Sequence, residues 1–539
     1  MYNRHIYSRI FFVLFCSAVF FMAGCTKSNY KSPLDKQVYK DIDSQWRSEF
    51  GSRTNYRVSD TTPAADSVQV ARAVPDSGII SVKDAVALAT AYNRQYQLEK
   101  EKLYRKALDL RLSRYEFERK YFGNVTAGYS SDPNEKLIGA EARFGFNQLL
   151  TTGTRVSVAV TNAWVNVLSG NLKDGFATVL SATVTQPLLR GRNRMVVLES
   201  LTQAQRDLLY QVRQFNRFRK TFVVSVITQY YYALEQLDKL NCAQDNRRKL
   251  EKIKQRAEIL AKAGKLPVYE LDRIKQEILK AGDVVVELQR QYAQALDELK
   301  IMLALPVRSR FQLDVNELKH LRKNPIPDVV FSESDAVDTA LFRRLDLASR
   351  ADMVIDAQRK VAVAVDDLRA ALNVVGSADV VSSRKADRSN MGSLGNKYGL
   401  GLELDLPMNN VPQQNVYRKA LLTLNQRRRE YDLTADKITL QVRNAYRDLT
   451  QAGRKYKIYS DSLQLAEKRL RKTSLLVQYG KASTRRILSA QNDYFKAQTA
   501  TAQALIDYTT ATLKFYRDSG VLTVNPDGMW QLNKNNINN

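Results

Sequence analysis

Apolar residues recur every three to four positions along most of this chain, in runs that contain almost no helix breakers. The spacing predicts a helix from Ser81, with Val82, Ala85, Val86 and Ala89 on one face and no Gly or Pro before Phe122. Ser81 is placed to cap it, with Asp84 three positions on in the first turn. A longer run follows. Arg192 to Ala263 is 72 residues without Gly or Pro, and Leu201, Leu208, Val212, Phe215, Phe222, Val226, Tyr230, Leu234 and Leu237 keep the helical spacing. At about 1.5 Å per residue this is a rod on the order of 100 Å long, a length more usual in coiled coils and helical tunnels than in globular domains. It breaks at Gly264 and Pro267, and a partner helix runs from there to the LALP at 303–306.

The same interrupted helix returns 216 residues later. LAKAGKLPVYELDRIKQ (260–276) matches VQYGKASTRRILSAQ (477–491), with Gly264 on Gly480, Leu271 on Ile487 and Glu277 on Asp493. Earlier, Asp84-Ala85-Val86 matches Asp335-Ala336-Val337, and Pro187 matches Pro407. The offset falls from 251 at the start to 216–220 later, so the first half carries roughly 30 extra residues between its opening helix and its long one. The chain is a tandem duplication rather than a many-copy solenoid.

Those intervening stretches change period. GLGLELDLP (399–407) alternates without a slip, with Leu400, Leu402, Leu404 and Leu406 opposed to Gly401, Glu403 and Asp405. A leucine face backed by a carboxylate face suits a wall between lipid and water, though a half-buried soluble sheet would alternate in the same way. The first half offers 124–131, 139–148, 154–164 and 177–186 as strands, with Thr151-Thr152-Gly153 turning the middle two into a hairpin. Strands of about 9–11 residues cross a membrane when tilted. Six short strands at most are visible, fewer than the eight of the smallest known transmembrane barrels, so membrane-spanning strands would require several chains to share one barrel.

A formal charge of +27 raises nucleic-acid binding first, and the N-terminus argues against it. Arg4 and Arg9 precede an apolar run from Ile10 to Phe21, then Met22-Ala23-Gly24-Cys25, the pattern of an export signal. Its end resembles the bacterial lipobox, which implies cleavage after residue 24 and lipidation of Cys25. Thr26 rather than Asp after the cysteine fits outer-membrane sorting in such lipoproteins. With the signal removed, His320 is the only histidine and Cys242 the only other cysteine. Metal sites and histidine-based catalysis have almost no raw material, and no cofactor is expected.

From Ser81 to Leu522 the chain resembles the TolC-type outer-membrane efflux proteins, lipoprotein branch. The resemblance rests on SVKDAVALATAYN (81–93), VTQPLLRG (184–191), LDLPMNN (404–410), the two glycine breaks, and the order helix, strands, long helix, break, helix occurring twice. It implies a mostly α fold with a minor β part: a homotrimeric channel whose transmembrane β-barrel continues into a long α-helical periplasmic barrel. The expected division is a signal peptide at 1–24, a lipid-anchored tether at 25–80 with a short helix around 36–50, repeats at 81–330 and 331–523, and a tail at 524–539.

The implied function is the exit duct of a tripartite efflux or type I secretion system. It would pass substrates from an inner-membrane pump and periplasmic adaptor to the exterior, with outer-membrane lipid as a further partner and no nucleic acid. The resemblance puts the turns at Gly264, Lys265, Gly480 and Lys481 at the adaptor-facing tip. It puts the periplasmic gate near Glu270, Arg485 and Arg486, where Arg486 and Ser489 stand in positions often acidic in the family. Glu270 is expected to pair with Arg485 or Arg486 of an adjacent helix.

An exported enzyme would need paired acids, a nucleophile or metal ligands at suitable spacing, and none stands out. A lipid-anchored periplasmic coiled-coil scaffold without a pore accounts for the rods, but not for alternating strands at matching places in both repeats. The basic runs at Arg217/Arg219/Lys220, 247–249, 427–429 and 468–472 read as solvated helix faces. Two placements suit the extra hairpin at 139–164: within the barrel, or as a loop outside it.

Overall fold

A computed structural model describes residues 31–50, 56–58, 78–131, 136–169, 175–264, 266–323, 332–385, 394–479, 481–524 and 530–532. The signal segment, Cys25, Lys265 and Gly480 lie outside the described residues, as do most of 51–77 and of the tail.

The element order follows the duplication. After α1 (Lys31–Phe50) come β1 (Ile79–Ile80), α2 (Val82–Tyr92) and α3 (Arg94–Tyr115). Four strands follow: β2 (Lys120–Ser131), β3 (Lys136–Leu149), β4 (Arg155–Ser169) and β5 (Gly175–Pro187). The short α4 (Arg194–Val197) leads into α5 (Glu199–Lys262), then α6 (Val268–Met302), β6 (Gln312–Leu313) and α7 (Asn316–Lys323). The second half has α8 (Glu333–Arg343), α9 (Leu345–Asp366), β7 (Ala371–Lys385), β8 (Leu394–Asp405), α10 (Val411–Gln478), α11 (Thr484–Asp518), β9 (Leu522–Val524) and β10 (Trp530–Leu532). Helices α2 and α8 are 11 residues each, α3 and α9 are 22 each, and α6 and α11 are 35 each. The repeat therefore preserves the lengths of these three helices as well as sequence spacing, while the long helices α5 and α10 are 64 and 68 residues.

Local chemistry explains the boundaries. Ser81 starts α2 through a capping box: its hydroxyl accepts from the Asp84 amide at 3.3 Å, and the Asp84 carboxylate accepts from the Ser81 amide at 3.1 Å. Ser332 repeats one half of the device on α8, accepting from the Asp335 amide at 3.1 Å. The single helix expected from Ser81 is in fact broken at Asn93, without Gly or Pro. Asn93 leaves the helical region at ψ 129°, and its side-chain oxygen accepts from the Tyr96 amide at 3.1 Å, restarting the chain as α3. Arg344 makes the equivalent break in the second repeat, at ψ 118°. Six strands, β2 to β5, β7 and β8, are 12 to 15 residues long, longer than expected, and β7 is a strand that the alternation pattern did not single out.

Contacts divide the chain into two compact units, each drawing on both repeats. The first takes 31–50, Lys102–Val212 and Ala370–Leu406; the second takes 56–58, 78–101, Arg213–Arg369 and the described residues from Pro407 on. In the first unit the six long strands form one antiparallel sheet in the order β2-β3-β4-β5-β7-β8. Helix α1 is longer than the short helix expected and is tied to α3. Arg114 donates to both carboxylate oxygens of Asp41 at 2.7 Å, Tyr104 donates to Asp35 at 2.5 Å, and Val38, Ile42 and Trp46 are buried.

The second unit is helical. Ala336, Ala340 and Leu347 of α8 and α9 pack with Ile438, Val442 and Leu449 of α10 and with Tyr508 and Phe515 of α11. A second cluster joins Leu250 and Ala257 of α5 to Ile274, Ile278 and Ala281 of α6 and Leu488 of α11. The Tyr230 hydroxyl donates to the Ile80 carbonyl at 2.9 Å and accepts from the Asp314 amide, tying α5 to the parallel β1–β6 pair.

Candidate functional site

Residues opposite each other in an antiparallel pair share a face, so one row can be followed across the whole sheet. Tyr121, Phe146, Val158, Ala182, Ala378 and Tyr398 form such a row, one from each strand in sheet order. One residue along, Lys120, Asn147, Ser157, Thr183, Ser377 and Gly399 form the next. The first row is apolar and the second polar except for its glycine, and they lie on opposite faces. The leucines of β8 stand on the apolar face with little cover: Leu400 is 85% exposed and Leu402 is 75% exposed. A sheet of this kind can hold hydrocarbon on one side and water on the other.

The hairpin β3–β4 belongs to this sheet. It pairs with β2 on one side and β5 on the other along nearly its full length. Two glycines let it pack. Gly145 sits where a Cβ would fall 2.3 Å from the Val158 carbonyl oxygen and 2.8 Å from the Phe122 ring, and Gly123 lies under the Phe144 ring. Of the two placements compatible with the sequence, the structure has the one within the sheet.

The turn regions are the second candidate site. Gly264 adopts φ +68°, the left-handed region that favours glycine, and its amide donates to the Ala261 carbonyl at 3.0 Å. Pro267 opens α6 three residues later. At the matching turn the Lys481 amide reaches back to the Leu476 carbonyl at 2.8 Å, closing the end of α10. Glu270 stands in the first turn of α6 with its side chain 14% exposed. Within the chain its ion-pair partner is Arg273, one turn along the same helix at 3.5 Å, and its Oε2 is buried without a hydrogen-bond partner. Arg485 and Arg486 occupy the first turn of α11 and are exposed. One chain by itself does not bring Glu270 together with either arginine. The helices around the two turns do meet nearby, where Gln491 donates to Asn246 at 2.8 Å and Asn492 to Glu277 at 3.4 Å.

One group of basic residues departs from its expected solvated face. Arg219 is 5% exposed and donates to the Val524 carbonyl at 2.9 Å, and Arg217 pairs with Asp346 at 3.1 Å. Burial, reinforced by the neighbouring Arg219, Arg217 and Arg343, holds the Lys220 ammonium down to about 8. Arg219 alone of the three is buried, fixed by a backbone carbonyl 305 residues away in sequence, while Arg217 and Lys220 are half-buried. The other runs fit the expectation better; Arg248, for one, is 73% exposed beside Asp245.

Among the described residues no group of three or more His, Cys, Asp or Glu side chains could hold a metal ion, and no helix is long and apolar enough to cross a membrane. No protein-family model and no curated protein matches the chain. Solved structures do. The transmembrane channel CusC matches with a TM-score of 0.59 at 14% identity, over 88% of this chain and 97% of that one. The Campylobacter jejuni CmeC outer membrane channel gives 0.58 at 14% identity, over 87% and 90%. The Vibrio cholerae outer membrane protein VceC gives 0.58 at 12% identity, over 85% and 99%. The matches cover 85–88% of this chain and 90–99% of the others. The fold of this chain is that of the TolC-type outer-membrane channels.

Proposed function

We propose that the chain is an outer-membrane exit duct, assembled from three copies, that passively conducts substrates delivered by an inner-membrane pump through a periplasmic adaptor. One observation carries the reading: a six-stranded sheet with one apolar face, whose β8 leucines a single chain leaves uncovered. In water those leucines would favour burial, whereas in a bilayer they are already in their preferred solvent. Strands of 12 to 15 residues, at about 3.3 Å per residue and tilted by roughly 40°, span the ~25 Å apolar band of an outer membrane with residues to spare. The solved structures that the chain resembles are channels rather than enzymes, which supports the same reading. Cys25 is the lipid anchor in this scheme, and α1 then follows within a few residues of the membrane surface.

The turns at Gly264 and Gly480, with Lys265 and Lys481, form the adaptor-facing tip. Glu270 and Arg486 occupy equivalent positions in the two repeats, each six residues after its glycine, and carry opposite charges. In a ring of copies the two kinds of tip alternate, so a Glu270 of one helix pair lies beside an Arg485 or Arg486 of the next and helps hold the closed state. Reconstitution in planar bilayers tests the duct itself: discrete conductance is expected, and its absence from trimers in the membrane would refute the duct and favour a pore-free scaffold. Arg486→Glu should raise the closed-state leak; an unchanged leak removes the gate role.

A further inference from the structure

The sheet of one chain has two free edges, and the repeat says how they meet. We propose that each copy contributes all six strands to a shared barrel, with β8 of one copy joined to β2 of the next in the register set by the internal duplication, giving eighteen strands in three copies. The proposal rests on the three-copy duct and adds to it the joint, its register and the strand count.

The argument starts from edges. In hydrocarbon an unpaired strand edge leaves backbone donors and acceptors unsatisfied, each at a cost of several kcal/mol, so β2 and β8 require partners there. They suit each other. Both are 12 residues long. With six strands alternating in direction, the two edges run antiparallel, so joining copies continues the pattern without interruption. Both also carry most of their apolar residues on the same face of the sheet, Phe122 of β2 being the exception.

The register follows from a pairing already present. Within one chain the last strand of the first repeat, β5, pairs with the first strand of the second, β7, placing Pro187 opposite Asn373 and Ala182 opposite Ala378. The joint between copies is the same junction one repeat further on. Carrying β5 to β8 on the match of Pro187 with Pro407, and β7 to β2 on the offset of 251, puts Leu402 opposite Ala127. Leu404 then faces Val125 and Leu400 faces Tyr129. Nothing in that transfer was chosen to match faces, yet all three of these leucines meet an apolar residue of β2, with Tyr398 facing Ser131 at the strand end. A slip of one residue would put the leucines opposite Thr126 and Gly128 instead.

The hairpin β3–β4 decides the count. The second repeat has two strands where the first has four, and the added residues are this hairpin. Its turn is seated rather than loose: Gly153, at φ +84°, packs where a Cβ would meet the Gly191 carbonyl, Pro187 and Val197, and the Thr154 hydroxyl donates to Gln186. Without the hairpin three copies would close twelve strands, roughly 24 Å across between backbones; with it eighteen strands give roughly 36 Å, in the range that leaves a water-filled channel. A lumen of that width places no size filter on the cargo at the membrane and leaves selection to the tip.

Paired cysteines in the full-length protein, purified from membranes, test this with a short thiosulfonate crosslinker. Ala127→Cys with Leu402→Cys should link copies into covalent dimers and trimers. Ala127→Cys with Ala140→Cys should link within a chain, since these residues are partners in β2 and β3, and reports that the sheet has formed. Ala127→Cys with Thr178→Cys would link within a chain only if the hairpin left the wall and β2 closed directly on β5. The result expected is the first two links and not the third. A 127–178 link, or no 127–402 link in protein that forms the 127–140 link, overturns the proposal. Failure of the duct would appear separately, as trimers that carry these links but do not conduct.

Discussion

The end of α6 carries an L-residue in a conformation that its repeat partner assigns to glycine. Ala304 stands at φ +58°, with the Leu305 amide donating to the Lys300 carbonyl at 2.9 Å. The corresponding residue at the end of α11, 216 positions on, is Gly520 at φ +80°. Left-handed backbone costs a residue with a Cβ about 1–2 kcal/mol. Replacing Ala304 with Gly removes that cost and returns about 0.4–1 kcal/mol through the greater freedom of glycine in the unfolded chain. The net expectation is a gain of about 0.5–1 kcal/mol, confined to one helix end. Gly520→Ala should lose a similar amount for the mirror reason, because the new Cβ would meet Arg343 and Arg344 only at ordinary contact distances of 3.4–3.7 Å. Amide hydrogen exchange over 296–306, read by mass spectrometry, resolves this locally. Ala304→Gly should slow exchange there roughly two- to fivefold, and Gly520→Ala should speed it over 512–522. If Ala304→Gly leaves exchange unchanged or faster, or if both variants shift in one direction, the reasoning from backbone conformation is refuted.

Three further outcomes are expected. Gly145→Ala places a Cβ 2.3 Å from the Val158 oxygen, forcing β3 and β4 apart and costing about 2–4 kcal/mol; heat-modified migration on SDS gels should reveal less folded assembly. Lys220 sits near 8 when folded, against 10.5 in an open chain, so between those values the unfolded state binds more protons and stability rises with pH. Lys220→Met should raise the melting temperature at pH 7, by about 1–3 kcal/mol in stability, and flatten the rise between pH 8 and 10; a variant melting lower at pH 7 would contradict the cost assigned to this ammonium. Arg344 is 3% exposed and bonds Asp346 at 2.7 Å and Gln441 at 2.8 Å, so Arg344→Met should destabilise by about 1–3 kcal/mol, limited because Asp346 keeps Arg217 at 3.1 Å, measurable as a lowered melting temperature.

How far the fold could be read from sequence depended on whether a residue's role left a periodic or conformational mark. The Ser81 cap, the glycine and proline at 264 and 267, and the leucine alternation of β8 are local signals, and the elements they predict are present. Strand β7 escaped because Val374-Val375 and Val380-Val381 put apolar residues on both faces and blur the alternation. The break at Asn93 carries no Gly or Pro, and only its capping bond to Tyr96 explains it. The burial of Arg219 had no local mark at all. A charged run on a helix reads the same whether water or a distant carbonyl satisfies it, and the Val524 carbonyl that satisfies this one lies 305 residues away. At the helix turns, the family resemblance singled out Glu270 and Arg486 but could not foresee that Arg273, on the same helix, would take Glu270 within one chain.

Three helix pairs of equal length and unequal strand numbers in the two halves have an architectural consequence. In the helices each chain carries two near-copies of one design, so a ring of any number of chains has twice as many equivalent helical segments as chains. In the sheet that internal symmetry is lost, because one half bears a hairpin that the other lacks. The helical and strand parts of one chain thus obey different symmetries. An insertion of about thirty residues altered the second without changing the length of α2, α3 or α6 relative to their partners. The two parts behave as separately editable modules, and the number of strands in the sheet can change while these helical segments keep their lengths.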